Sequence, residues 1–341
     1  MECETICSFS YDQLRELTDD FSQGNYIGTF QFGKIYRGKI KSAHEVKDVL
    51  VKIWGKPEID FYYEGDNELR CMDELIIFRH EKLTCHPGMI KLLGYVQDEE
   101  HLGAVYDFKP LDTVYNLTPR DNFTWLQRIK VAFGFASLLK FLHKATPQQN
   151  PFVLRNISAS HIVIDEEYNP KLFDVGLITG GVFPDRTQCG IYFIYGCMGY
   201  VDLSIGCTGE WNNKSDVFSF GVLLLNLITK RIFTKEDRKA ATPLPHRWAW
   251  NQYAPRQSDS GIKLPVLVHQ SLTADPDYCR SDGRKLTKLA MKCVGEDPEH
   301  RPDMKKIVNC LLKLRVIKQH ADYLGKDILL HAQANLASKL M

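Results

Sequence analysis

The sequence has no excess of either charge. Its 341 residues include 43 Lys plus Arg and 42 Asp plus Glu, which gives a formal net charge of +1 at pH 7. A protein that binds nucleic acid mainly through its phosphates needs a basic surface, so we expect no nucleic-acid partner. Hydrophobic residues make up 44% and charged residues 25% of the chain, as in globular proteins that bury one large core or two smaller ones.

Also lacking are a membrane span, a secretory signal and paired cysteines. The longest apolar stretch, FSFGVLLLNLI at 218–228, is shorter than the roughly 20 residues that a spanning helix needs. The ten cysteines are scattered without a CxxC pair, which excludes a common zinc spacing and a compact disulfide framework. The opening MECETICSFS has no signal-peptide pattern, so we expect a reducing cytoplasm. Acylation of Cys3 or Cys7 would add peripheral attachment to the plasma membrane; free surface thiols are the alternative.

Short β-type runs fill the first hundred residues, and long helical patterns follow. Five runs predict strands: NYIGTF, KIYRGKI, DVLVKIW, MIKLLGYV and LGAVYDF. A helix is predicted over 67–82, between the third and fourth strands. Its apolar face is expected to contain Leu69, Met72, Leu75, Ile76 and Leu83.

The pattern changes to helices after Asp107, which predicts an α+β fold with a small β-rich lobe and a larger, mainly α-helical lobe. We expect the first lobe, up to the start of the hinge, to occupy 1–108, and the second lobe to occupy 109–318. A C-terminal helical tail is predicted over 319–341.

Two glycines mark a turn between the first two predicted strands. In IGTFQFGKIYRG, at 27–38, Gly28 and Gly33 hold the outer positions of a GxGxxG loop, whereas Phe30 stands at the middle position. A side chain at that position crowds a backbone that must approach phosphates closely. Lys52 lies on the next predicted strand, the arrangement in which a lysine reaches nucleotide phosphates.

At these motifs the sequence resembles the protein kinases. FDVG at 173–176 stands where kinases have the magnesium-binding DFG, and EHRPDM at 299–304 closes the domain. The resemblance covers about 9–316, nearly the whole chain, and implies the bilobal protein-kinase fold. FSYDQLRELTDDFS before the glycine loop and GCMGYVD before SDVFSFGV are similar to plant receptor-like cytoplasmic kinases.

The resemblance implies ATP and Mg as ligands. The residues expected to bind the nucleotide are Gly28, Gly33, Lys52, Glu74, Tyr106, Asp107 and Asp174. Asp174 would also hold Mg, and Lys52 would pair with Glu74 or with Asp73. Tyr106 would be the gatekeeper beside a hinge that starts at Asp107, although core packing explains Tyr106 equally well.

The catalytic loop departs from the kinase pattern. Kinases read HRDxKxxN, whereas this chain has LRNISASH at 154–161. Arg155 is retained, but Asn156 stands at the catalytic aspartate and cannot accept a proton as a carboxylate does. Ser158 replaces a phosphate-binding lysine, and His161 replaces an asparagine that would bind the second Mg through oxygen. We therefore expect a pseudokinase that is not an enzyme, with non-catalytic ATP binding.

The activation segment also differs from the kinase pattern. It ends in GYVDLS, so Leu203 and Ser204 stand where related kinases have proline and glutamate. That glutamate normally pairs with the arginine that corresponds to Arg301. Because an unpaired buried charge is costly, another acid should replace it, and Asp202 is the nearest candidate.

Among plant cytoplasmic pseudokinases, the chain resembles the HopZ-ETI-deficient-related family. That resemblance implies an adaptor or decoy that binds an NLR immune receptor and receptor-like cytoplasmic kinases and senses bacterial effectors. The alternatives are a weak or atypical Ser/Thr protein kinase and a nucleotide-responsive switch.

Overall fold

The computed structural model describes most of the chain. The described residues are 6–42, 45–55, 66–144, 150–183, 196–205, 209–234, 237, 244–253 and 265–329. Cys3 and the part of the predicted tail beyond 329 lie outside these ranges. No helix within them is both long enough and apolar enough to span a bilayer.

The five predicted strands and the helix between the third and fourth of them occur in the predicted order, together with further elements. The strands are β1 (Cys7–Ser8), β2 (Tyr26–Phe30), β3 (Gly33–Lys41), β4 (Val46–Trp54), β5 (Lys91–Gln97), β6 (Leu102–Asp107), β7 (Asp112–Thr113), β8 (Phe152–Val153), β9 (Ile162–Ile164), β10 (Pro170–Leu172) and β11 (Thr179–Gly180). The helices are α1 (Tyr11–Leu17), α2 (Asp66–Arg79), α3 (Glu81–Thr84), α4 (Val114–Leu117), α5 (Trp125–Leu142), α6 (Asn213–Thr229), α7 (Pro245–Tyr253), α8 (Gln270–Thr273), α9 (Arg280–Cys293), α10 (Met304–Leu311) and α11 (Arg315–Gln319).

The chain divides into two compact units. The first unit comprises 1–116 and 159–177, and the second comprises 117–158 and 178–341. The first contains a large β-sheet and the second is mainly helical, which confirms the α+β fold class. The bounds proposed from the sequence, 1–108, 109–318 and 319–341, remain a prediction.

A six-stranded sheet dominates the first unit. Its strand order is β1-β5-β6-β4-β3-β2, with β1 parallel to β5 and the other neighbours antiparallel. All five predicted strands are present. Helix α1 begins at a capping box between Ser10 and Gln13 and buries Leu14 in the sheet's core. That core contains Leu14, Tyr36, Val49, Val51, Val96 and Val105.

Strand β1 adds an edge that the sequence did not reveal. Cys7 pairs with Gly94 on β5. A Cβ atom at Gly94 would lie 2.4 Å from the Phe9 ring and 2.5 Å from Cys7 O, so only glycine allows this approach. Gly94 therefore fixes how the N-terminal segment joins the sheet.

Helix α2 reverses part of the predicted apolar face. Leu69, Met72 and Ile76 are 55%, 44% and 42% exposed, whereas Leu75 is buried as expected. The helix also ends at Arg79, before the predicted end at 82. The correction has a physical cause: the buried face carries the charged Glu74, which a hydrophobic pattern cannot identify.

Two buried helices form the centre of the second unit. Helix α5 starts at a capping box between Thr124 and Gln127, and α6 starts at the N-cap residue Asn212. Two short helices, α10 and α11, follow one another from Met304 onward. Strands β8 and β11 form a small antiparallel pair in this unit.

Candidate functional site

A buried cluster in the first unit is built around Lys52. Lys52, on β4, donates from Nζ to Glu74 Oε1 at 2.5 Å and to Asp174 Oδ1 at 2.8 Å. Glu74 lies on α2, and Asp174 follows β10. All three side chains are almost completely buried. Of the two acids that the sequence left open as partners of Lys52, Glu74 makes the contact.

One cation shared between two carboxylates separates their pKa values. Burial raises the pKa of Glu74 to about 8, because the charged form loses its water; attraction to Lys52 opposes this rise, and weaker repulsion from Asp174 adds to it. Burial also acts to raise the pKa of Asp174, but Lys52 and His161 outweigh it and hold that pKa well below its usual range. Asp174 is therefore the stronger acid of the two carboxyl groups.

Backbone and tyrosine donors fix the orientation of Glu74. Val175 N donates to Glu74 Oε1 at 3.0 Å. Tyr106, at the gatekeeper position on β6, donates from its hydroxyl to Glu74 Oε2 at 3.1 Å. Tyr106 is fully buried, as the core-packing alternative expects, and its gatekeeper role remains a prediction.

His161 joins Asp174 to the glycine loop. Its Nδ1 lies 2.9 Å from Asp174 Oδ2, and its Nε2 accepts a hydrogen bond from Gln31 N at 3.1 Å. Because Nε2 accepts, the proton must be on Nδ1, and one neutral tautomer satisfies both contacts. Sequence reasoning missed this contact, since no motif predicts that the Gln31 backbone faces His161.

Phe30 lies directly on the ammonium group of Lys52. The ring of Phe30 is 5% exposed, and its centroid lies 4.5 Å from Lys52 Nζ. Trp54 contacts the same ammonium at 4.3 Å, and Phe173 contacts Phe30 edge-on at 6.0 Å. The sequence predicted crowding at this position, and the structure directs the Phe30 side chain inward. We call Lys52, Glu74, Asp174, His161 and Phe30 the Lys52 cluster.

The two glycines of the loop differ in the space available for a side chain. A Cβ atom at Gly33 would lie 2.0 Å from Ile53 O, so the pairing of β3 with β4 demands glycine there. At Gly28 a Cβ atom would meet only Asn116 Nδ2 at 3.9 Å and Thr113 Cγ2 at 4.0 Å. Asp107, at the predicted hinge, pairs with Lys47 at 2.9 Å. The nucleotide-binding role of these residues remains a prediction.

The catalytic loop of the second unit is held by Asp216. Asp216 accepts from Leu154 N at 2.8 Å and from Arg155 N at 3.0 Å, and it faces His143 Nε2 at 2.9 Å. These bonds hold Arg155 in the left-handed region, with φ of 64°. Asn156 is buried, and its Oδ1 accepts from Cys197 Sγ at 3.4 Å.

The replacement ion pair predicted for Arg301 is present. Its guanidinium contacts both carboxylate oxygens of Asp202, with Nη2 3.1 Å from Oδ1. Both residues are 3% exposed. Ser204, which stands at the kinase glutamate position, donates instead to Asp202 Oδ1 at 2.8 Å. The two-pronged contact keeps a buried charge neutralised although the usual partner is absent from the sequence.

The Lys52 cluster, as arranged here, does not fit Mg and ATP. Lys52 and His161 already engage the two oxygens of Asp174, which would have to bind Mg. The ring of Phe30 covers Lys52, which would have to bind phosphate.

Comparison with known proteins gives one family. Residues 21–311 match the family model described as protein tyrosine and serine/threonine kinase. The chain is 30% identical to serine/threonine-protein kinase PBL13 of Arabidopsis thaliana over 317 residues, which are 91% of this chain and 60% of that protein. It is also 30% identical to the probable serine/threonine-protein kinase PBL16 of Arabidopsis thaliana over 333 residues, 93% of this chain and 75% of that relative.

A third relative comes from another plant. The EPD1-interacting receptor-like cytoplasmic serine/threonine-protein kinase of Nicotiana benthamiana is 31% identical over 310 residues, 89% of this chain and 63% of that protein. The chain therefore spans between 60% and 75% of the length of these three relatives.

These findings correct one expectation. The prediction that the chain is not an enzyme was wrong, because the relatives that match it are named as Ser/Thr protein kinases. The ion pairs of Lys52 with Glu74 and Asp174 are also those of a kinase and give no positive sign of a pseudokinase.

Proposed function

We propose that this chain, which belongs to the protein tyrosine and serine/threonine kinase family, acts as an adaptor in plant immune signalling. In this role it binds an NLR immune receptor and receptor-like cytoplasmic kinases, and it senses bacterial effectors through itself or through a bound kinase. The sequence resemblance to the HopZ-ETI-deficient-related family is the basis for these partner classes. The site of action is the cytoplasm, with peripheral attachment to the plasma membrane.

The observation that carries the proposal is the exposed apolar face of α2. Leu69, Met72 and Ile76 follow one another at spacings of three and four residues and therefore lie on one side of the helix. Each is at least 42% exposed. Neighbouring exposed apolar side chains are typical of surfaces that another protein covers.

The name of one relative supports a role through protein partners. The Nicotiana benthamiana kinase is named as cytoplasmic and as interacting with another protein, EPD1. We carry over to this chain only that members of this class work in contact with other proteins.

Affinity purification from plant tissue, followed by mass spectrometry, tests the adaptor role. We expect NLR receptors and receptor-like cytoplasmic kinases to be enriched over an unrelated kinase used as bait. In the variant that combines Leu69→Asp with Ile76→Asp, at least one of these classes should be lost. Glu68→Gln, an exposed change on the same helix, is the matched control and should retain both. If the unaltered chain enriches neither class, the proposal is wrong.

A second candidate function is Ser/Thr phosphoryl transfer of a weak or atypical kind. The ion pairs of Lys52 with Glu74 and Asp174 favour it, as do the names of the relatives. A radiolabelled-phosphate assay with a generic protein substrate tests it, with Asp174→Ala as the control. Labelling well above the control supports transfer, and equal labelling removes this candidate. Neither outcome alters the partner purification, so the two functions are tested separately.

A further inference from the structure

We infer that Phe30 and His161 form an internal latch that occupies the nucleotide site, so that Mg and ATP bind only after both side chains have moved away. The latch lies within the first unit and joins the glycine loop to Asp174. It goes beyond the adaptor role, because it concerns which ligand the Lys52 cluster accepts and when.

The first half of the latch is the Phe30 ring. It packs edge-on against Trp54 at 6.3 Å and against His161 at 6.1 Å between centroids. Its face lies 4.5 Å from Lys52 Nζ, within the range of a cation–π contact. The ammonium is therefore surrounded by two carboxylates and by the rings of Phe30, Trp54 and Phe173, and a phosphate oxygen can reach it only if Phe30 leaves.

The second half is His161. Its imidazole links Gln31 N to Asp174 Oδ2, and the side chain is completely buried. Backbone N–H groups in a glycine-rich turn are the donors that phosphates use in such sites. Here the Gln31 N–H donates to an imidazole nitrogen instead. The same side chain thus engages one phosphate donor and one magnesium ligand.

The two halves support each other. Phe30 and Gln31 are adjacent in the chain, so the hydrogen bond from Gln31 N to His161 holds the backbone that points Phe30 at Lys52. The ring in turn packs edge-on against His161, whose side chain is completely buried. Losing either side chain should therefore loosen the other.

The latch predicts how nucleotide affinity responds to substitution. When the binding-competent state is only a few per cent populated, the apparent affinity falls in proportion to that population. Removing the closed state should then tighten binding by about 10-fold to 100-fold. The variant that combines Phe30→Gly with His161→Asn opens both halves, and each single substitution should give a smaller gain.

Binding of a fluorescent ATP analogue in the presence of Mg tests the latch, together with the shift in melting temperature. We expect weak binding and a small shift for the unaltered chain, with at least about 10-fold tighter binding for the double variant. Gln31→Ala is the matched control, because it changes the same turn while keeping the backbone N–H that His161 accepts. Its nucleotide affinity should stay within about twofold of the unaltered chain.

Two results would overturn the latch. The first is tight binding by the unaltered chain, equal to that of the double variant. The second is a folded double variant that binds no better than the unaltered chain. Should the double variant fail to fold, Phe30→Ala alone provides the test, because it leaves His161 in place and must still improve affinity. These readouts need no partner protein and no catalysis, so their failure is distinct from failure of the adaptor role.

Discussion

Tyr106 donates its hydroxyl to Glu74 Oε2 at 3.1 Å, while the other oxygen of the same carboxylate accepts from Lys52. Burial and the nearby carboxylate of Glu74 raise the pKa of Tyr106 well above its ordinary value, so the hydroxyl keeps its proton at every physiological pH. The gatekeeper is therefore a permanent donor that holds α2 against β6.

Tyr106→Phe should destabilise the fold by about 1–3 kcal/mol, because it leaves a buried carboxylate oxygen without a donor. Urea unfolding followed by circular dichroism measures the loss. Tyr36→Phe is the control. It also removes a tyrosine hydroxyl, but from a ring that packs against the rings of Phe21 and Tyr26. A loss no larger than that of the control would show that the contact with Glu74 is unimportant.

Asp202→Ala should cost about 3–5 kcal/mol of stability, because it leaves the buried guanidinium of Arg301 unpaired. Adding Arg301→Met should recover part of the loss, since the uncompensated charge is then gone. The comparison is Asp12→Ala, which breaks a solvent-exposed pair with Arg15 and should cost much less stability than Asp202→Ala. Equal losses at the two sites would contradict the assignment of Asp202 as the replacement acid.

His86 predicts a pH dependence of stability. Burial lowers the pKa of His86 from its ordinary 6.5 to about 3, so the folded state excludes a proton that the unfolded chain accepts. The stability of the folded state that depends on neutral His86 is fully present above pH 6.5. It is lost progressively as the pH falls from 6.5 towards 3. At pH 5 the loss should be about 2 kcal/mol, measured by urea unfolding at pH 7 and pH 5.

Two variants isolate this effect. His86→Gln should remove the contribution of His86, about 2 kcal/mol between pH 7 and pH 5, because glutamine does not titrate, whereas Glu74 and His246 continue to titrate. His300→Gln, at a histidine whose side chain is 86% exposed, should leave it unchanged. An unaltered slope in His86→Gln would assign the acid sensitivity to another group.

Asp216→Asn should destabilise the second unit by about 1.5–3 kcal/mol. The amide keeps one acceptor oxygen but turns an N–H group toward a backbone donor at Leu154 or Arg155. Thermal unfolding provides the measurement. Asp297→Asn is the control, because an exposed N-cap accepts either residue almost equally well. If Asp297→Asn lowered the unfolding temperature and Asp216→Asn did not, the role assigned to Asp216 would be wrong.

The sequence predicted the strands and motifs that position the site, but not how the side chains within the site pack against one another. Strand β4 and the motif around Lys52 were recognisable from alternation and spacing, and so was the substitution that makes Asp202 pair with Arg301. These features depend on residue type and local order. The direction of the Phe30 side chain depends on tertiary packing around Lys52, which no local pattern encodes.

Helix α2 illustrates a different limit. Hydrophobic spacing identified apolar positions, but the helix exposes Leu69, Met72 and Ile76 and buries Glu74. A periodicity measure assumes that the apolar side faces the core. That assumption fails in α2, where Glu74 and its contact with Lys52 occupy the buried face and apolar side chains lie on the exposed face.

Strand β1 has a practical consequence for protein engineering. The family match begins at residue 21, yet the sheet begins at Cys7, and α1 fills its core with Leu14. Recombinant fragments that begin at residue 21 would expose the backbone edge of β5. They would also leave a cavity in the core of the sheet at the position of Leu14. Such fragments should aggregate, because unprotected strand edges pair with one another. Expression designs should therefore keep the segment from Cys7 to Asp20, and affinity tags should not interrupt it.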